Sequence, residues 1–257
     1  MADFVLGRPT TLATEGMIAT PHYLATLAGL RVLQDGGNAV DAAIAANAVL
    51  AVVYPHMCGI GGDAFFLIWE PRERQLFALN GSGRAPQALS AETLRSRGFR
   101  LVPPKGPWGV TVPGAVDAWV TVLERCGTRP LGELLQPAIG YAERGFPVSR
   151  QLAAAIAQEE QVFRGQPAAV AQFLPEGRPP QPGTILRQPA LAATLRLIAE
   201  RGPEAFYRGP IAEEIAAVIQ AHGGAMTVDD LVAHRSDWVE PLRTTYRDVE
   251  VVELPPN

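Results

Sequence analysis

Cys58-Gly59-Ile60-Gly61-Gly62-Asp63-Ala64-Phe65-Phe66-Leu67-Ile68-Trp69 is the stretch on which the fold turns. Three glycines crowd a turn, and an apolar run with strand character follows at once. Glycine has no Cβ, so it permits positive φ and lets another backbone or a ligand come close. Upstream, Ala39 to Val53 is rich in alanine and valine almost all round, the composition of a helix buried on most faces. Tyr54-Pro55 ends that helix, because the residue before proline avoids the α region. Downstream, Ala64 to Glu70 and Gln75 to Asn80 flank the polar turn Pro71 to Arg74 and predict a β-hairpin. A buried helix therefore leads into the glycine turn and a buried strand leads out. The expectation is a turn against which something packs.

Outward from this centre, Thr20-Pro21-His22 predicts the start of a first helix, with Thr20 as N-cap and Pro21 in the first helical position. Leu24, Leu27, Leu30 and Leu33 follow at near-helical spacing. Asp35 to Asn38 stops that helix and starts the next. Asn80-Gly81-Ser82-Gly83 reads as a loop, and Ser90 opens a short helix. Leu101 to Pro107 is a proline-rich connection, and Trp108 to Val112 reads as a short strand broken by Pro113-Gly114. Helices are expected over about 115–125, 130–144, 149–161, 190–201 and 211–222, with an irregular Pro- and Gly-rich excursion over 166–189. A short helix capped by Thr227 ends near His234, and strands run roughly over 239–246 and 249–254. The order is helices and a hairpin, a helical middle, then strands. That is an α/β chain of the α+β layered kind, read as a single domain over 1–257. Leu254 to Asn257 follow directly on a strand, an odd place for a complete domain to stop. The expectation is that the native polypeptide continues, or that a partner chain completes the sheet.

The chain has 257 residues, 47% of them hydrophobic and 19% charged, enough to build a sizeable core without metals or disulfides. A net charge of −4 gives no basic surface for nucleic acid or for an anionic membrane. Two cysteines, Cys58 and Cys126, read as free thiols of a reducing compartment. Met1 to Thr10 has neither a basic segment nor a long apolar one, so no secretory signal is read there, and a cytoplasmic location is expected.

Several chemical readings of these residues fail on context. The Gly59–Gly62 turn lacks the Gly-x-x-x-x-Gly-Lys-Ser/Thr arrangement and follows a helix rather than a strand, so it is no nucleotide loop. His22, His56, His222 and His234 show no metal spacing, and neither cysteine lies in a Cys-x-x-Cys, so no metal is expected. Only His56, just before the glycine turn, lies near a plausible site, and a lone histidine there reads as structural. Ser82 sits in Gly-Ser-Gly but without the strand–elbow–helix context of an activated serine. Glu159-Glu160, Glu213-Glu214 and Asp229-Asp230 are sequence neighbours and do not face each other on a helix. Arg84 stands out: it follows a predicted buried strand in a glycine-loosened loop, and its planar fork suits a carboxylate. A surface arginine or a structural ion pair is the competing reading.

Taken in order, the segments resemble the γ-glutamyltransferase (glutathione hydrolase) family of N-terminal nucleophile hydrolases. The resemblance rests on Gly16 to Pro21, Leu33 to Ala43, Gly59 to Gly62 with its strand, and Val112 to Val116. It continues through Leu135 to Ala138, Ala142 to Phe146, Gly202 to Gly209, His222 to Gly224, Met226 to Leu231, and Tyr246-Arg247. It implies part of an αββα sandwich, incomplete without a downstream subunit, in a precursor that cleaves itself to a heterodimer. The implied nucleophile is a threonine at the start of the small subunit from the same precursor, whose own α-amino group acts as base. No catalytic residue is then expected in this chain, which is inactive alone, and the chemistry needs no cofactor. The implied substrate is a small γ-glutamyl or related acyl amide of glutathione metabolism. Members carry Arg-Glu-x-Ala-Pro after the hairpin, the arginine holding the γ-glutamyl α-carboxylate. Aligned on Ala85-Pro86, this chain has Ser82 at the arginine position and Gly83 at the glutamate position, with Arg84 two residues on. Ser82 and Arg84 are the expected substrate-binding residues, and a different acyl preference is open: an amidase of the cephalosporin or glutaryl acylase kind. The reading from another class is a non-catalytic scaffold or binding subunit.

Overall fold

The computed structural model of the chain describes residues 10–257, so the leader expectation for the first nine residues lies outside it. Two helices open the fold, α1 (Tyr23–Gln34) and α2 (Ala39–Val53), packed on each other. The cap of α1 is His22 rather than Thr20: its Nδ1 accepts from the Leu24 amide at 3.3 Å, and Pro21 lies before the helix. The Thr20 hydroxyl donates instead to the His22 carbonyl at 2.8 Å. α2 has the predicted bounds and is buried along nearly its whole length. Asn38 and Asp41 form a reciprocal capping box at its start. The fully buried Asp41 carboxylate also accepts from the Thr128 and Arg129 amides at 2.9 and 3.2 Å and from the Thr128 hydroxyl. Burial raises its pKa, but these bonds and the Asn38 amide outweigh burial and hold the carboxyl below its ordinary value. One ionised side chain thus ties the helix start to a loop far along the chain.

The hairpin pairs β1 (Ala64–Glu70) with β2 (Gln75–Gly81), from Ala64 opposite Gly81 to Glu70 opposite Gln75. A short strand from the far end of the chain, named below, joins the free edge of β2. Between them lie α3 (Ala91–Ser96), capped by Ser90, a 3₁₀ turn at Pro107–Gly109, α4 (Ala115–Cys126), α5 (Leu131–Leu134) and α6 (Gln136–Arg144). Then come β3 (Phe146–Pro147), α7 (Arg150–Gln158), α8 (Glu160–Arg164), α9 (Pro167–Phe173) and β4 (Ile185–Leu186), which pairs β3. The chain ends with α10 (Pro189–Arg201), α11 (Glu204–Tyr207), α12 (Pro210–Ala221), α13 (Val228–Val232) and strands β5 (Asp237–Val239), β6 (Leu242–Tyr246) and β7 (Val249–Glu253).

Proline accounts for most departures from expectation. The 130–144 helix divides at Leu135, because Pro137 in the first turn of α6 has no N–H to continue the ladder. The 239–246 strand divides at Pro241 into β5, on the hairpin sheet, and β6, which among the described residues pairs only with β7. Within the supposed irregular excursion, Pro167 starts α9. Trp108 to Val112 is not a strand: it opens as the 3₁₀ turn, and its one backbone link to the hairpin loop runs from the Val112 amide to the Arg84 carbonyl, 3.0 Å. Glu159 caps the end of α7, so the 149–161 helix becomes two.

Strand alternation sorts the three-stranded sheet into two faces. Phe66, Ile68, Phe77, Leu79 and Trp238 face α4 and the apolar core around Trp119 and α2. The opposite face carries Phe65, Leu67 and Trp69, exposed by 44, 42 and 57%. No element among the described residues covers it. Asn80 lies opposite Phe65 and Asp237 opposite Asn80, so this open face is apolar in the middle and polar at the end where β2 runs out. No helix of the described residues is long and apolar enough to cross a membrane.

Candidate active site

The polar end of the sheet is built by close backbone contacts. At Gly81 a Cβ would stand 2.5 Å from the Ala118 Cβ and the Ala64 carbonyl, so the end of β2 presses on α4. Beyond it, the Asn80 side chain accepts from the Ser82 amide at 2.9 Å and turns the chain outward. The Gly83 amide donates to Asp63 Oδ1 at 2.9 Å, and a Cβ at Gly83 would lie 1.5 Å from the Val112 carbonyl oxygen. Only glycine fits there. The Ser82–Arg84 loop is therefore clamped between Asp63, from the glycine turn, and the Val112 backbone.

The start of α4 packs against the glycine turn, as expected of it. None of Gly59, Gly61 and Gly62 has positive φ, and a Cβ on Gly61 would meet nothing within 4 Å. What the turn provides is a carbonyl: Gly62 O accepts from the Gly114 and Ala115 amides, both at 2.9 Å. Those are the first donors of α4, and Gly114 has no side chain with which to cap them.

Arg84 projects from the clamped loop and pairs with Asp237 Oδ2 at 3.2 Å, both side chains more than half exposed. Such a pair contributes at most about 1 kcal/mol. The guanidinium is thus held in place yet free to exchange Asp237 for a ligand carboxylate. Beneath it lies a cavity of about 100 Å³ between Arg84, Gln87, Val112, Asp230 and His234. Asp230 is engaged by the Gln87 and Thr227 amides and the Thr227 hydroxyl. Burial raises its pKa, and those three donors more than reverse the effect.

The His234 side chain is fully buried and stacks on Tyr207, ring centroids 5.6 Å apart. Among the described residues neither of its ring nitrogens has a hydrogen-bond partner, and Nε2 stands 4.0 Å from Asp117 Oδ2. Burial pushes its pKa below the ordinary histidine value, against the pull of Asp117, so the ring is neutral at pH 7. Asp117, in the first turn of α4, accepts from the Ser236 amide at 2.7 Å. Tyr207 donates to the Pro113 carbonyl at 2.8 Å and accepts from the Asp117 amide. Burial first, then Asp117 and Asp63, push the Tyr207 phenol far up, so it stays protonated.

Of the expected site residues, the structure brings Ser82 and Arg84 into one loop at the end of the open face. It does not bring His56 there. That ring packs on Tyr54, centroids 4.2 Å apart, and lines a separate, mainly apolar hollow of about 520 Å³ with Leu152, Ile156, Phe163 and Phe173. This hollow is larger but shares no lining residue with the Arg84 loop. Asp63, Asp117, His234 and Asp237 complete the polar cluster and escaped the linear reading. Asp63 sits in the opening stretch itself, where a carboxylate beside a glycine turn was a usable signal. Asp237 lies 153 positions from Arg84, and no local pattern marks it. Cys58 and Cys126 are free, and burial raises both thiol pKa values. Among the described residues no group of three His, Cys, Asp or Glu side chains is placed to hold a metal.

Comparison with known proteins fits this architecture. The sequence profile of the family described as Gamma-glutamyltranspeptidase matches residues 25–257. The glutathione hydrolase-like YwrD proenzyme of Bacillus subtilis is 41% identical over 249 residues, 96% of this chain and 47% of that protein. The chain thus spans about half the length of the curated relatives it matches. Among solved structures, Helicobacter pylori gamma-glutamyltranspeptidase superposes with a TM-score of 0.91 at 30% identity, over 96% of this chain and 72% of that one. Cephalosporin acylase from Bacillus halodurans superposes with a TM-score of 0.85 at 44% identity, over 91% of this chain and 44% of that one. The layered helix and sheet arrangement is therefore part of an N-terminal nucleophile hydrolase fold. The chain belongs to the gamma-glutamyltranspeptidase family.

Proposed function

We propose that the full-length protein is a self-processing amide hydrolase or acyltransferase to which this chain contributes the Arg84 loop and one wall of the active site. The observation that carries this reading is the open sheet face, apolar at Phe65, Leu67 and Trp69 and polar at its Arg84 end. An uncovered apolar sheet face is costly in water and calls for a second layer. The relatives are proenzymes of about twice this length, so the remainder of the same precursor is the occupant. That remainder supplies a threonine whose α-amino group takes the proton from its own hydroxyl. The hydroxyl oxygen attacks the amide carbonyl, the C–N bond breaks as the amine leaves with a proton, and water or an acceptor amine then releases the acyl group. This chain's residues bind and orient. Arg84 takes a carboxylate on the acyl group, and Ser82 offers a hydroxyl at the position that the Arg-Glu-x-Ala-Pro motif gives to arginine.

A γ-glutamyl acyl group is the first reading. The displaced arginine and the 44% identity to a cephalosporin acylase favour a second, a glutaryl-type acyl group without the α-amine. The test is full-length protein with verified self-cleavage, assayed for amine release from γ-glutamyl anilide and from glutaryl amides. Release from neither substrate rejects the hydrolase reading and favours a scaffold. Arg84→Ala is expected to raise KM for carboxylate-bearing substrates about 10- to 150-fold, the equivalent of one charge-assisted contact of about 1.5–3 kcal/mol. An unchanged KM removes Arg84 from the site.

A further inference from the structure

We propose that His234 is a positioning residue for Arg84: when its buried imidazole takes up a proton, Asp117 is drawn toward it, and the strand end that holds Asp237 against Arg84 loosens. The inference rests on reading Arg84 as the carboxylate anchor. Its geometry is a continuous chain of contacts. His234 Nε2 lies 4.0 Å from Asp117 Oδ2, just too far for a hydrogen bond. That same oxygen accepts from the Ser236 amide at 2.7 Å. Ser236 immediately precedes Asp237, the first residue of β5 and the partner of Arg84 at 3.2 Å. His234 also lines the cavity directly beneath Arg84.

A neutral imidazole in this place leaves both ring nitrogens without a partner, an unusual state for a buried polar group. The proton comes from solvent and adds to the free ring nitrogen, giving an imidazolium with two N–H donors. Nε2–H then closes on Asp117 as a charge-assisted bond of about 2.8 Å. Closing the 4.0 Å gap takes a relative shift of about 1.2 Å between the ring and Asp117 Oδ2, which strains the 2.7 Å bond from the Ser236 amide. The other N–H brings positive charge under the guanidinium. Both changes act in one direction: they free Arg84 from Asp237 and push it toward the open face.

The groups facing the ring fix the sign. Asp117 from α4 and Asp63 from the glycine turn favour the charged form, while Arg84 and Arg235 oppose it. Tyr207 from α11 stacks on the ring and stays neutral, and the Asp230 carboxylate of α13 is saturated by Thr227 and Gln87. Burial outweighs the attraction, so the imidazolium forms at lower pH than that of an ordinary histidine. Asp237 competes with a ligand carboxylate weakly, as an exposed partner does. Its release should therefore lower KM for carboxylate-bearing substrates by about two- to fivefold.

The experiment measures KM on the self-cleaved full-length protein from pH 5 to 8, for a carboxylate-bearing amide and a matched amide lacking the carboxylate. The ratio of the two KM values cancels titration of the nucleophile. In the wild type the ratio should fall two- to fivefold toward low pH. In His234→Gln it should be flat, and in Asp237→Asn flat at the low value. A fall retained in His234→Gln, or none in the wild type, overturns the proposal. Should neither amide be turned over, the functional reading fails and the relay is judged separately. The fluorescence change of Trp238, identified as the signal lost in Trp238→Phe, should then titrate together with the His234 ring protons in the wild type. A Trp238 signal that does not track His234 overturns the relay without any need for a histidine variant.

Discussion

Replacing Gly83 by alanine tests whether the Arg84 loop is held by backbone contact. A Cβ at this position would sit 1.5 Å from the Val112 carbonyl oxygen and 2.6 Å from its carbon. Ordinary contact starts near 3.4 Å, so the loop and the Val112 backbone must separate by about 2 Å. Neither partner is a flexible side-chain end that could give way. A displacement of that size breaks the Val112 amide to Arg84 carbonyl bond of 3.0 Å and the Gly83 amide to Asp63 bond of 2.9 Å. Overpacking costs about 1–3 kcal/mol, and each lost hydrogen bond adds about 0.5–1.5 kcal/mol. Gly83→Ala should therefore destabilise the protein by about 2–6 kcal/mol, read as a lower urea midpoint at unchanged slope. Gly61→Ala is the control: it has no positive φ and no atom within 4 Å of the added carbon, so it should lie within about 0.5 kcal/mol of wild type. Equal stability of Gly83→Ala and wild type would refute the clamped loop, as would an equally damaging Gly61→Ala.

Other expectations follow from the same contacts. Asp41→Asn turns one of two acceptor oxygens into a donor, facing either the Thr128 and Arg129 amides at Oδ1 or the Asn38 amide and Thr128 hydroxyl at Oδ2, and should cost about 1–3 kcal/mol in urea unfolding. His22, His56 and His234 all have pKa values lowered by burial, so below pH 6.5 the unfolded chain binds more protons than the folded one. Stability should fall as pH drops from 6.5 until the folded histidines also titrate; Asp41 and Asp230, lowered as well, add a second loss below about pH 4. Urea midpoints flat from pH 7.5 to 5 would contradict this. Leu67→Asp, on the open face, should leave the stability of this chain within about 0.5 kcal/mol of wild type but abolish assembly with the remainder of the precursor, seen as loss of the co-purifying second polypeptide.

Local signals governed what could be read from the chain itself. The α2 helix was legible to its end residues because an Asn cap, an apolar body and Tyr54-Pro55 all agree. The hairpin was legible because alternation and a polar turn agree. Pro137 and Pro241 were visible as letters, but their effect depended on whether neighbouring turns or strands could bridge a missing N–H. Trp108 to Val112 has strand composition, yet its neighbour is the Gly83 backbone at contact distance rather than a pairing edge. For the site, Arg84 and Ser82 were legible from the glycine loop and the displaced arginine motif. Their partners were not, since Asp237 and His234 reach the loop only through β5 and α13 packing on the far side of the chain. The glycine run marked a turn on which other segments pack, through the Gly62 carbonyl that caps α4 and the Asp63 carboxylate that holds Gly83.

This chain is read as one part of a self-cleaving precursor. N-terminal sequencing and intact mass of the polypeptides obtained when the full-length protein is expressed test it most directly. The expected result is two associated polypeptides, the second beginning with threonine, and a single uncut polypeptide when that threonine is replaced by alanine. A full-length protein that stays uncut, or a second polypeptide that begins with a residue bearing no nucleophile, would contradict it.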